Sequence, residues 1–168
     1  MIRIKPLERR MVPQFVLVHL SCFKETYWGI YPEEVFEVRE QKKTERMEHI
    51  MKRIEVPSNY FYYALYDDFT IIGILIFSII KGVGVLDAIY LKKNYQRRGY
   101  GTSMIREMEK VFQSHGVWEY SVFVSSLISA NDFFVKKHGV FRVEDEISIH
   151  GKDYMEKEYV VKVGDNLE

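Results

Sequence analysis

The sequence is poor in the residues that make disulfide and metal scaffolds, and it carries no excess of either charge. A single cysteine, Cys22, excludes an intramolecular disulfide and a multi-cysteine zinc site, and it fits a reducing compartment. The 24 basic and 24 acidic residues cancel, so the basic excess that usually marks a nucleic-acid-binding protein is missing. No long apolar run is present: Ile71 to Ile80 falls far short of the ~20 residues that cross a bilayer. The opening stretch, Met1 to Pro6, lacks the apolar region of a signal peptide. Repeats, linkers and low-complexity tracts are absent as well. These absences lead us to expect a soluble, cytoplasmic protein with no metal, no nucleic-acid partner and no membrane anchor, built as one domain over residues 1–168.

Apolar and aromatic residues are plentiful, at 47% and 15%, enough for a proper core. Ile2 to Lys5 alternates as a short strand. Pro13 opens a helix on which Phe15, Val18, His19 and Cys22 share a face. Pro32 starts a second, with Glu33 and Glu34 near its positive end, Met47, Ile50, Met51 and Ile54 in helical spacing, and Pro57 beyond them. Three strands follow, over Tyr60–Tyr66, Ile71–Ile80 and Val85–Leu91, and their short turns predict an antiparallel meander. Met104, Ile105, Met108, Val111 and Phe112 form a helical stripe that Gly116 ends. Trp118–Val124 is then a strand reached by a parallel crossover. Ala130–His138 reads as a short helix, and Val140–Ile149 with Tyr154–Val163 as a closing hairpin. The resulting fold class is α/β (α+β): a mixed sheet with helices on its faces.

Chemistry concentrates where the third meander strand runs into Gln96-Arg97-Arg98-Gly99-Tyr100-Gly101 and then into the striped helix. Glycines there let backbone amides approach a ligand at a helix N-terminus, and two arginines add positive charge. Taken alone, the loop reads as an ordinary turn and helix cap with two solvated arginines rather than as a phosphate site. It is not a P-loop, which needs Gly-Lys-Ser/Thr after four residues, nor a dinucleotide fingerprint, because residue 104 is Met rather than Gly.

In this context, Gln96 to Gly101 resembles the Q/R-x-x-G-x-G/A signature of the GNAT superfamily of acyl-CoA-dependent N-acetyltransferases. Ile89-Tyr90-Leu91 is similar to the end of that family's fourth strand, and Ile72-Gly73 to the glycine of its third. The resemblance spans nearly all of residues 1–163. It implies a mostly antiparallel seven-stranded sheet whose central parallel strands splay apart. It also implies acetyl-CoA as cosubstrate and an amine acceptor, small molecule or protein, that attacks the thioester directly. By the same resemblance, Arg97, Arg98, Gly99, Tyr100, Gly101 and Thr102 cradle the pyrophosphate, with Gln96 in the motif. Ile89, Tyr90 and Leu91 line the pantetheine, and Asn131 and Phe134 fall where the family contacts its cofactor.

The match has two departures. Leu91-Lys92-Lys93 lacks the proline often found before the loop, and the family's acid tyrosine is replaced by Phe134 or Val135, depending on how Phe133–Gly139 is matched. The proton chemistry is therefore open. Asp87 is the candidate catalytic residue, although by itself it reads more readily as a solvated or ion-paired carboxylate. Its facing is ambiguous, because the family's strand carries a bulge. His138 is a proton carrier or a helix cap; Ser125, Ser126 and Ser129 are water holders or turn residues. Tyr27 to Tyr31 is part of an acceptor wall or a core anchor, and Glu33, Glu34, Glu37 and Glu40 draw a cationic amine or form a solvated face. Cys22 reads as core. The expected function is an N-acetyltransferase, the alternative a catalytically degenerate acyl-CoA-binding module; open sheet edges permit a homodimer.

Overall fold

The computed structural model describes residues 1–127 and 140–164. One seven-stranded sheet has the order β1-β2-β3-β4-β5-β7-β6. Its strands are β1 (Ile2–Pro6), β2 (Tyr60–Asp67), β3 (Thr70–Ile80), β4 (Val83–Leu91), β5 (Glu119–Ser125), β6 (Val140–Ile149) and β7 (Lys152–Lys162). All neighbours are antiparallel except β4 and β5. The expected Ala130–His138 helix lies outside the described residues. No helix among those described is long and apolar enough to cross a membrane.

The helices divide between the two faces. On one lie α1 (Val12–Tyr27), α2 (Glu33–Gln41) and α3 (Lys43–Glu55), where Phe15, Val16 and Ile50 pack on Ala64, Ile74 and Ile76. On the other, α4 (Tyr100–Ser114) buries Met104, Ile105, Met108 and Phe112 completely, the stripe the spacing predicts. Each such side chain contributes roughly 1.5–3 kcal/mol through burial. That anchorage holds the first turn of α4 at the end of β4.

Two differences from the sequence expectation have physical causes. The second helical segment is two helices, broken at Lys42. Val35 and Phe36 join Phe23 in a cluster of their own, whereas Ile50 packs with α1 and the sheet. The chain turns to serve both, without a glycine or proline to announce it. The second difference is a bulge: Ile76 pairs with Ala88 and Phe77 with Leu86, leaving Asp87 as the extra residue. A bulge places two successive residues on similar faces. Leu86 belongs to the α4-side core and Ala88 to the α1-side core, so strand parity changes at Asp87.

Candidate active site

β4 and β5 pair only through Gly84–Tyr120, Val85–Ser121 and Leu86–Val122. Beyond that point β4 still pairs with β3 as far as Leu91, and β5 with β7 as far as Ser125. The two facing edges therefore carry backbone donors and acceptors without a strand between them, the kind of edge that accepts an extended ligand. The gap opens into a cleft of about 1140 Å³. Asp87, Ile89, Tyr90 and Leu91 line it from β4, Val122 to Val124 from β5, and Cys22, Tyr27 and Trp28 from the end of α1 and beyond.

The signature loop closes one end. Gln96 reaches the cleft and donates from Nε2 to the Leu91 carbonyl at 2.9 Å. Lys92 N–H donates to Ile72 O at 2.9 Å, and the Tyr95 hydroxyl to Asp67 at 3.2 Å. These bonds hold the loop to the sheet. Arg97 and Gly99 take positive φ, 61° and 84°. Such a backbone turns successive N–H groups towards one concave side. Gly99 is the N-cap of α4, and no side chain caps the helix there. The space beside Gly99 is open, and a Cβ on Gly101 would meet only Leu91 Cδ1 at 3.9 Å. A helix start with orphaned amides, positive dipole and free approach fits a phosphate-bearing ligand. Arg98 lies over the Tyr95 ring at 5.8 Å, beside this loop. Thus Asp87, Ile89, Tyr90, Leu91, Gln96 and the run from Arg97 to Thr102 are contiguous around one cleft and its adjoining loop. Asn131 and Phe134, like Ser129, Val135 and His138, lie outside the described residues.

Asp87 leaves the bulge on the α1–α3 face. Crowding by its surroundings pushes its carboxyl above the usual range, although the Ser78 hydroxyl donates to it and Arg53 attracts it. The residue as a whole remains exposed, so the shift reflects the packing around the carboxyl rather than full enclosure. Tyr90 also faces this side. Its hydroxyl is hydrogen-bonded to that of Tyr27, and burial raises both phenols. Tyr27 stacks on Tyr31 at 4.5 Å, and Arg39 from α2 lies over Phe23 at 3.7 Å. Below them His19 is buried, with its ring 5.3 Å from Tyr90. Burial first, then the charges of Arg46 and Arg39, lower it to about 3. It is therefore neutral, and Arg46 donates to its Nδ1 at 3.0 Å. Cys22 is buried and its thiol is pushed up to about 11 by burial, consistent with a structural role.

Sequence reasoning did not single out Arg39, Arg46, Tyr154 or Glu156 for this site. Alternation along β7 puts Tyr154, Glu156 and Glu158 on one face, but only the register places that face beside β5: Glu156 is opposite Ser125, and Ser121 donates to Glu158 at 2.9 Å.

The model of the acetyltransferase (GNAT) family matches residues 21–140. Spermidine N(1)-acetyltransferase of Thermoplasma acidophilum is 30% identical over 161 residues, which cover 94% of this chain and 98% of that protein. The crystal structure of the paiA N-acetyltransferase from Thermoplasma acidophilum in complex with coenzyme A superposes with a TM-score of 0.77 at 27% identity, over 96% of this chain and 99% of the other. A GNAT acetyltransferase from Streptococcus pneumoniae shares the fold, with a TM-score of 0.73 at 17% identity over 98% and 100% of the two chains.

Proposed function

The chain belongs to the acetyltransferase (GNAT) family and is an N-acetyltransferase; we propose that its donor is acetyl-CoA and its acceptor a primary aliphatic amine of the polyamine type. The observation that carries this reading is the parting of β4 from β5 beside the uncapped start of α4. The likeness to a spermidine acetyltransferase and to a coenzyme A complex supports the choice of acceptor and donor.

Acetyl-CoA supplies the acetyl group as a thioester. Amides and arginines from Arg97 to Thr102 hold its pyrophosphate. The free edge of β4 at Ile89, Tyr90 and Leu91 bonds the pantetheine as an added strand would, and an amide there polarises the thioester carbonyl. An aliphatic amine is protonated at neutral pH, so a base must take a proton before its nitrogen can attack. Asp87 stands at the mouth of the strand gap with a carboxyl raised towards that task. The nitrogen–carbon bond forms, the carbon–sulfur bond breaks, the electron pair leaves with sulfur, and the second proton that the nitrogen sheds as the amide forms passes to the leaving thiolate or to solvent.

The test is acceptor-dependent release of CoA thiol across a panel of mono-, di- and polyamines. Release with an aliphatic amine is expected. Folded protein that binds acetyl-CoA yet releases no thiol with any acceptor would overturn the reading.

A further inference from the structure

Past the strand gap, on the α1–α3 side of the sheet, the phenols of Tyr27 and Tyr31 lie near the carboxylate of Glu156. Glu156 lies on β7 opposite Ser125, the last residue of β5. The Ser125 and Tyr31 hydroxyls are hydrogen-bonded. Tyr31 stacks on Tyr27, with ring planes 8° apart, and meets the edge of Tyr154 at 4.9 Å. Glu156 is close enough to both Tyr27 and Tyr31 for its negative charge to oppose their ionisation.

Two polar groups of this cluster have no partner among the described residues. Glu156 is half-buried, yet among the described residues no ion pair or hydrogen bond to its carboxylate is found. Independently, the hydroxyl of Tyr154 is buried without a partner among the described residues, in a side chain only 6% exposed. Tyr154 and Glu156 are two residues apart on β7, so their side chains leave the same face. A buried polar atom without a partner costs about 1–3 kcal/mol unless something satisfies it. A group that donates hydrogen bonds and carries positive charge would satisfy both the carboxylate and the hydroxyl. An ammonium does both, and aromatic faces around it add attraction.

The surrounding charges agree. Asp145 on β6 is the register partner of Glu156 and adds a second carboxylate on that face. Arg39 approaches Tyr27 and Tyr31 from α2 but spends its guanidinium on the Phe23 ring. Lys152 lies 5.6 Å from the centre of the Tyr154 ring and forms no ion pair with Glu156.

We propose that Glu156, Tyr154, Tyr31 and Tyr27 form a seat for an ammonium group, which holds the second, non-reacting ammonium of a di- or polyamine while the other amine reacts. The inference rests on the acetyl-transfer reading above. Tyr27 also lines the cleft, so the seat and the reacting centre share a wall. Ser125 is two residues beyond Phe123 on β5, about 7 Å along the strand. An acceptor reaching from the strand gap to the seat thus needs a spacer of several methylenes between its two nitrogens, which a monoamine lacks.

The test compares 1,4-diaminobutane and spermidine with butylamine as acceptors and, separately, as ligands of the CoA-bound protein by calorimetry. Wild-type protein should prefer the diamines in kcat/KM. In Glu156→Gln that preference should fall at least about tenfold, chiefly through KM, with a matching loss in calorimetric affinity. Tyr154→Phe keeps the ring and should weaken diamine binding to a smaller extent. Melting temperature and CoA affinity verify that each variant is folded, and Glu156→Ala replaces Glu156→Gln if that variant is not. An unchanged ratio and unchanged diamine affinity in folded variants would overturn the seat. An inactive wild type that still binds diamines through Glu156 would overturn the acetyl-transfer reading and leave the seat standing.

Discussion

Gly73→Ala probes how closely the site's floor is built. Gly73 pairs with Leu91, at the end of the strand edge that faces the cleft. A Cβ added there would stand 2.8 Å from Leu91 Cδ2, 3.1 Å from the Tyr90 carbonyl oxygen and 3.3 Å from Leu65 Cβ. Carbon atoms normally rest about 3.5–4.0 Å apart, so the first contact overlaps by about 0.7 Å or more. The Leu91 methyl can rotate away. The Tyr90 carbonyl cannot, because it belongs to the backbone of β4 and moves only with the strand. Overpacking of this kind costs about 1–3 kcal/mol, offset by roughly 0.5–1 kcal/mol from removing a strand glycine. A net loss of about 1–2 kcal/mol lowers the melting temperature of a domain this size by roughly 2–8 °C. Relief by displacing Tyr90 and Leu91 would also weaken CoA binding, up to about tenfold for each 1.4 kcal/mol lost there. Gly84→Ala is the control. Its Cβ would meet Val117 at 2.9 Å and Phe112 at 3.2 Å, away from the cleft-facing edge of β4. It should lower the melting temperature while leaving CoA affinity intact. A Gly73→Ala protein with wild-type melting and wild-type CoA affinity would refute this reasoning.

Gly99→Val forces a β-branched residue into φ near 84°, and Gly101→Val crowds the open approach to the helix start. Each should weaken CoA binding by tenfold or more in calorimetry, with the α4 core intact. Asp87→Asn should lower kcat by about 10²–10⁴ and remove an acid limb of the pH–rate profile that lies above the ordinary carboxylate range; an unchanged limb would assign the base elsewhere. His19 has a folded value of about 3 against an ordinary 6.5, so between those pH values the unfolded chain binds the extra proton. Its stability contribution is complete above 6.5 and is lost on acidification towards 3, at up to about 1.4 kcal/mol per pH unit. His19→Gln should flatten the fall of melting temperature across that window; an equal slope in both proteins would contradict the neutral, buried imidazole.

Local signals made much of the fold legible. The α4 stripe from Met104 to Phe112 repeats at helical spacing and is buried as read, and the strand–loop–helix order around Gln96 to Gly101 carries the family resemblance in residues adjacent along the chain. The break at Lys42 was invisible, because no residue there forbids a helix; separate packing partners for Val35 and Ile50 impose it. The facing of Asp87 was equally invisible, since a bulge exists only in the pairing of two strands.

By itself the sequence determined the strands of the described sheet, the buried stripe of α4 and the glycine loop between β4 and α4, because these depend on neighbours within a few residues. Tertiary structure alone decided where β4 leaves β5, on which face Asp87 stands, and that Glu156 comes near Tyr27 and Tyr31 while Tyr154 packs on Tyr31. Those residues come from four separate elements or loops, and only register and packing bring them together.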